Sequence, residues 1–320
     1  FRRVLFRSSL IGYNTSLRTH IEQAKAAVLY PPHGLNTLIV GPTGVGKTLF
    51  ANMMYKYAIY VKRLEANAPF VLFNCADYYN NPQLLLSHIF GHIKGAFTGA
   101  DSEKQGLVAK ANGGILFLDE IHRLPPEGQE MIFYFIDTGN YNKLGETERN
   151  RKSTVLIIGA TTENPASSLL KTFVRRIPIV ITLPSLEERS DKDKFDIMKF
   201  LLTNEAHRVN KPIKVDAEAV KAIIGSASYG NIGQMKSNIQ LVCATGFLNS
   251  INNKDFIEID FKSLPADIKN GLFSSSSKKM DMEELSKYFD DQMVVLPQGY
   301  KVLIDEEDRK STRLNSSHQY

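Results

Sequence analysis

The sequence predicts an α/β fold, a parallel sheet flanked by helices, followed by a small all-helical lid domain. Three observations carry this. Five short apolar runs alternate with helical segments over the first 184 residues. A glycine-rich turn, Gly41-Pro42-Thr43-Gly44-Val45-Gly46-Lys47-Thr48, closes the first run. After Pro184 the apolar runs stop, and three helical segments follow. Short apolar runs bounded by turn signals, with helices between them, are the pattern of strands buried on both faces.

Residues 35–40 (LNTLIV) predict the first strand and residues 47–65 a helix. Residues 70–74 (FVLFN) predict the second strand. Pro82 opens a helix to about Phe90, because proline suits a first helical turn. The runs ILFL (115–118), TVLII (154–158) and IPIVITL (177–183) predict three more strands, with a helix from Pro125-Pro126 towards Ile136. Residues 186–209, 216–227 and 231–249 predict helices, so 9–184 reads as the α/β domain and 185–263 as the lid. From 264 the character changes, with SSSSKK at 274–279 and acidic residues at 305–307. Residues 264–307 therefore read as a linker and the truncated start of a regulatory domain. No internal repeat is evident.

Of 320 residues, 43% are apolar and 23% charged, enough for a sizeable core. No apolar run approaches the roughly 18 to 20 residues a membrane helix needs. Residues 1–20 lack the pattern of a secretory signal. Cys75 and Cys243 are too few for a disulfide framework or a zinc cage, and read as buried small apolar residues. The expectation is a cytoplasmic protein with no membrane partner. The net charge of +5 invites a nucleic-acid reading, but its source is the two ends. Residues 1–8 (FRRVLFRS) and 308–318 (DRKSTRLNSSH) look like translated sequencing adapters, and residues 308–320 are set aside with them. They hold Arg2, Arg3, Arg7, Arg309, Lys310 and Arg313 against Asp308; the remainder balances at 33 basic and 33 acidic residues. Further domains are expected beyond both ends.

The turn at 41–48 matches G-x-x-x-x-G-K-[ST] (Walker A), between a predicted strand and a predicted helix, the context the motif requires. Its glycines let backbone N–H groups face an anion at a helix N-terminus. Lys47 is placed to reach β- and γ-phosphates, and Thr48 to ligate Mg²⁺. The second acidic element, Asp119-Glu120, follows the third strand. A carboxylate at a strand's C-terminal end points into the crevice where α/β sheets bind ligands. Asp119 is the candidate Mg²⁺ holder and Glu120 the group that polarises the attacking water. Together these predict a Mg²⁺-dependent NTPase of the ring-forming AAA+ P-loop type.

Gly95-Ala96-Phe97-Thr98-Gly99-Ala100 sets an aromatic between small residues and glycines. Two readings compete: a loop tip displaying Phe97 to a macromolecule, or a tight turn with Phe97 tucked inward. His88 and His92 are four apart, but Gly91 interrupts them and a third metal ligand is missing. His122 follows the acidic pair and is a candidate for supporting it, without an assigned role.

Residues 11–249 resemble the central domain of bacterial sigma-54-dependent transcriptional activators. GAFTGA at 95–100 is the signature of that family, here between the phosphate loop and GGILFLDEI at 113–121. The levanase-operon regulator (LevR-like) subgroup is closer. LPSLEERS (183–190), RVNKPIKVD (208–216), GNIGQMKSNIQLVCA (230–244) and FDDQMVVLPQGYKVLIDE (289–306) carry that likeness.

The resemblance implies a ring, a hexamer, that hydrolyses ATP at subunit interfaces and remodels the sigma-54 RNA polymerase holoenzyme through the 95–100 loop. Phe97 and Thr98 are the implied contacts. Asn74 matches the family's switch residue, implied to hydrogen-bond Glu120; a turn cap is its other reading. Thr161 and Thr162 occupy the sensor position. Arg175 and Arg176 match the region that supplies arginine fingers to the neighbouring subunit, the alternative being a surface pair. The family's further finger position is Leu169 here, and the lid arginine is replaced by Gly233. The resemblance also implies control of a sugar phosphotransferase-system operon, phosphotransferase proteins as partners, and a DNA-binding domain outside this chain. A different AAA+ remodeller, of helicase-loader or branch-migration type, predicts a basic DNA-facing surface, which the balanced charge of 9–307 disfavours. A nucleotide-gated scaffold is the non-enzyme alternative, and the intact Glu120 argues against it.

Overall fold

A computed structural model describes residues 10–148, 151–227, 229–250, 255–273, 288 and 292–297. The two adapter-like ends lie outside the described residues.

The main sheet has five parallel strands: β1 (Thr37–Val40), β2 (Phe70–Asn74), β5 (Ile115–Asp119), β8 (Leu156–Thr161) and β9 (Ile179–Thr182). Their spatial order is β2-β5-β8-β1-β9, so the first strand lies between the fourth and fifth of the sheet. Both faces of the central strands are buried, while the edge strands β2 and β9 leave Leu72 and Val180 exposed. Leu38, Leu116 and Ile157 pack on one face with helices α3 (Pro82–Phe90) and α5 (Pro126–Thr138). Ile39, Phe117 and Ile158 pack on the other with α1 (Arg18–Leu29) and α2 (Lys47–Tyr60). Phe117 is fully buried, so Phe117→Ala is expected to cost about 3–5 kcal/mol. Register aligns Asn74 with Asp119 and Val40 with Thr161, which brings four strand ends to one edge.

Two small hairpins follow the C-terminal ends of α3 and α5, on the side where β5 and β8 begin: β3 (Gly91–His92) with β4 (Lys104–Gln105), and β6 (Asn140–Tyr141) with β7 (Arg151–Lys152). Between β4 and β5 lies the short α4 (Leu107–Lys110). After β8 come α6 (Pro165–Ser168) and α7 (Lys171–Val174).

The lid begins with α8 (Asp191–Val209), capped by Ser190 and carrying Asp191 and Asp193 in its first turn, where acids are favoured. Helices α9 (Ala217–Ser226) and α10 (Asn231–Ser250) complete a second core with Met198, Leu202, Ile223 and Ile239. The all-helical expectation is corrected: β10 (Ile213–Asp216), β11 (Ile257–Ile259) and β12 (Gln292–Val295) form a three-stranded sheet beside these helices. Ile213, Val215, Ile257, Ile259, Met293 and Val295 alternate into the core, each separated by a residue that stays out of it. The change of unit expected after residue 263 is also corrected among the described residues. Leu264 and Ile268 pack in the same core, with the short α11 (Ala266–Lys269), and Tyr288 stacks on Phe195 at 4.8 Å. Cys75 and Cys243 are buried, and burial pushes both thiols up, Cys243 to about 12. Among the described residues no helix is long and apolar enough to cross a membrane.

Candidate functional site

The site forms where β1, β2, β5 and β8 end. Residues 41–46 leave β1 and turn into α2 through Gly44 and Gly46, at φ 80° and 99°. These left-handed positions suit glycine. No side chain caps α2, so its first N–H groups point at the loop's cradle. Lys47 is buried beneath the loop; its Nζ donates to the carbonyls of Gly41 at 2.8 Å and Pro42 at 3.2 Å. Burial holds its pKa below the usual lysine value, against the pull of Glu120 and Asp119.

Asp119 ends β5. Burial raises its pKa, opposed by the Glu120 N–H at 3.0 Å, by Lys47 and by the Thr48 hydroxyl, which donates to the carboxylate. A hydroxyl and a carboxylate in contact form an all-oxygen donor set, which fits a hard cation such as Mg²⁺ that takes few protein ligands. Glu120 adopts φ 48°, ψ 47°, a costly conformation for a residue with a Cβ. Thr162 Oγ1 donates to its Oε2 at 3.0 Å, and His122 Nδ1 lies 3.3 Å from the same oxygen. Thr161 is fully buried, and its Oγ1 lies 3.0 Å from His122 Nδ1. Thr161, Thr162, Glu120, Asp119, Lys47 and Thr48 thus converge at one edge of the sheet.

Asn74 does not join them. Its Oδ1 accepts from the Ala76 N–H at 3.1 Å and its Nδ2 donates to Asp77 at 2.9 Å. The expected bond to Glu120 is therefore corrected to a turn cap, because the backbone N–H two residues on is the nearer partner. His122, left without a role on sequence grounds, takes the place beside Glu120.

The two arginines separate. Arg176 is engaged within the chain: Nε donates to Asp137 at 2.8 Å, and its guanidinium lies 3.7 Å from the centre of the Phe133 ring. Arg175 is exposed at the end of α7 and pairs with no side chain among the described residues. Leu169 is buried in the core, which gives that position a packing role.

The hexapeptide 95–100 forms the tip of the β3–β4 hairpin. Gly95 N–H donates to Ala100 O at 2.8 Å, and Ala100 N–H to Phe97 O at 3.0 Å. Gly95 and Gly99 have positive φ, Thr98 is exposed and Ala100 is buried. Phe97 is half-buried, edge-on to His92 at 5.0 Å, and His92 Nδ1 lies 2.6 Å from Ser87 Oγ. The hairpin is fastened to its neighbour: Ile93 N–H donates to Leu144 O at 3.1 Å, Leu144 N–H to Gly91 O at 2.9 Å, and buried Lys143 pairs with Glu103.

The lid touches the phosphate loop directly. Asn231 Nδ2 donates to Thr43 O at 3.0 Å, while its Oδ1 accepts from Leu186 N–H at 2.7 Å. Gly233 N–H donates to Gly44 O at 3.1 Å. Beside this contact opens an apolar cavity of about 200 Å³, lined by Leu10, Ile11, Val45, Leu49, Leu201 and Ile232 among others. Five separate segments build it, and the only sequence signal is the apolar pair Leu10-Ile11 before Gly12. Arg189 enters it buried, with its pKa lowered by desolvation against Asp193.

A family model described as "Sigma-54 interaction domain" matches residues 10–179, just over half the chain. The chain is 57% identical over 288 residues to the transcriptional regulatory protein LevR of Bacillus subtilis, covering 90% of this chain and 31% of that protein. It is 44% identical over 254 residues to the transcriptional regulatory protein DagR of Salmonella typhimurium, covering 79% and 27%. The chain spans about a third of the length of these curated relatives. Among solved structures, Brucella abortus NtrX in complex with ATP superposes with a TM-score of 0.67 at 22% identity, over 88% of this chain and 61% of that one. A Thermotoga maritima RuvB variant gives 0.53 at 16%, over 97% and 78%. At these identities the two structures speak for the fold.

Proposed function

The chain belongs to the sigma-54-dependent transcriptional activators, in the LevR-like subgroup, and on that premise we propose that it hydrolyses ATP to drive a loop against the sigma-54 RNA polymerase closed complex. The observation that carries the proposal is the placing of the hexapeptide 95–100 on a braced hairpin, with Thr98 exposed at its tip. The phosphate loop would take the nucleotide's phosphates on the N–H groups of residues 44–48, with Lys47 against the β- and γ-phosphates. The apolar cavity beside Gly46 fits the base, since it opens between the phosphate loop and the lid. Thr48 and Asp119 would hold Mg²⁺, which neutralises phosphate charge when bound. Glu120 orients the attacking water and Thr162 holds the carboxylate.

Arg175 is the finger offered to a neighbouring subunit, because Arg176 is already committed to Asp137 and Phe133. The active site is then shared in a ring, most simply a hexamer. The resemblance to the LevR-like subgroup supports, as part of the same proposal, control of a sugar phosphotransferase-system operon and a DNA-binding domain outside this chain.

The test is capture of sigma-54 holoenzyme by the full chain, with ADP plus a γ-phosphate transition-state mimic against ADP alone. Capture only with the mimic, lost in Thr98→Ala while ATPase persists, supports the proposal. A nucleotide-bound ring that captures nothing overturns it.

A further inference from the structure

Glu120 needs a fixed orientation to work on water, and the family's expected partner, Asn74, is turned into its own loop. The carboxylate is held instead by Thr162 and by the imidazole of His122. That imidazole is enclosed: its side chain is 7% exposed and its Nε2 is buried without a partner among the described residues. Its Nδ1 faces two oxygens, Thr161 Oγ1 at 3.0 Å and Glu120 Oε2 at 3.3 Å.

The surroundings choose the tautomer. With the proton on Nε2, a buried N–H has no acceptor and a bare Nδ1 lone pair faces a carboxylate. Both are unfavourable. With the proton on Nδ1, the N–H points at both oxygens, and only a lone pair is orphaned. Thr161 Oγ1 already accepts from the Glu163 N–H at 3.0 Å, which fixes it at the end of β8.

Resting on the ATPase reading, we propose that His122, as its Nδ1–H tautomer, is the positioning residue of Glu120, tying the carboxylate to Thr161 at the end of β8. The acid's direction then follows the sensor strand. A shift of β8 on nucleotide turnover would reach Glu120 through the ring, without Asn74. In this role His122 acts through the acid, which it reaches by Nδ1.

The experiment uses the full chain. His122→Phe keeps a ring and removes the donor; His122→Asn keeps an N–H near the Nδ1 position. His122→Phe is expected to lower kcat about a hundredfold with KM for ATP little changed, and His122→Asn to recover most of the loss. In the unaltered protein, ¹⁵N NMR of His122 is expected to show a protonated Nδ1 and a bare Nε2, a readout that stands even where a variant does not fold. His122→Phe at full kcat, His122→Asn as slow as His122→Phe, or a protonated Nε2 overturns the proposal. Wild-type protein and Glu120→Gln run alongside. A wild type without ATPase, or a fully active Glu120→Gln, overturns the ATPase reading and this proposal with it. An active wild type with an unaffected His122→Phe overturns this proposal alone.

Discussion

The amide of Gly233 donates to the carbonyl of Gly44 at 3.1 Å, so lid and phosphate loop meet backbone to backbone. A Cβ at 233 would lie 3.3 Å from Gly44 Cα, closer than packed carbons sit. Position 233, where the family carries its lid arginine, is here the point of that close approach. Gly233→Arg is therefore expected to weaken ATP binding severalfold and to cost about 1–3 kcal/mol of stability by overpacking. Titration with a fluorescent ATP analogue and thermal melts check this. Tighter binding by the variant would mean that the arginine's reach matters more than the backbone contact.

Arg175 and Arg176 are expected to fail differently. Arg175→Ala should fold and bind ATP normally but lose about 10³-fold in kcat, the loss typical of a missing finger. Arg176→Ala should lose stability, because it removes the Asp137 ion pair and the Phe133 contact, worth about 1 kcal/mol together. Mixing Arg175→Ala with Glu120→Gln subunits should regain activity, since each supplies what the other lacks. No recovery on mixing would argue against a shared site.

His92 holds Phe97 edge-on while Ser87 holds His92. His92→Ala should release the Phe97 ring, speed proteolysis within 94–99, and lower stability by about 1–3 kcal/mol through the lost buried hydrogen bond. Limited proteolysis and melting temperatures read both effects. An unchanged cleavage rate would show that Gly95 and Ala100 alone keep the turn closed.

Asp193 offers a pH signature. Burial works against its charged form, but hydrogen bonds from Ser16, Thr15 and Ser190 outweigh it and hold its pKa below the usual value. Its stabilisation is thus present above the unfolded pKa of about 3.9 and fades as pH falls through the lower folded value. Asp193→Asn should cost about 1–3 kcal/mol at neutral pH, with the difference shrinking below about pH 4. Urea melts across pH 2.5–7, roughly the range over which an aspartate titrates, make the comparison. A constant difference across that range would place the effect in packing.

Legibility in the sequence followed the length of each signal. The five main strands were readable because each centres on a short run of apolar residues, and the phosphate loop because its spacing is dictated by one ligand. The hairpins at 91–105 and 140–152 were not, since two-residue strands hold no period. The lid sheet hid for a related reason: β10 and β11 interleave charged residues, and β12, which pairs with β10 on its other side, lies far along the chain. Asn74 had two chemically equal partners on paper, and only the turn geometry chose between them. His122 depends on Thr161, 39 residues away, a proximity that no local pattern encodes. The apolar cavity escaped notice because no single segment contributes enough of its wall.

The stitching of the two hairpins has a mechanical consequence. A lone hairpin with two-residue strands is barely stable, and under load at its tip it would buckle. Here the backbone bonds at Ile93 and Leu144, and the buried Lys143–Glu103 pair, join it to a second hairpin rooted elsewhere in the chain. The pair is a braced strut. A thrust applied at Thr98 would be divided between two anchorages, leaving to the tip the compliance of the turn at 95–100.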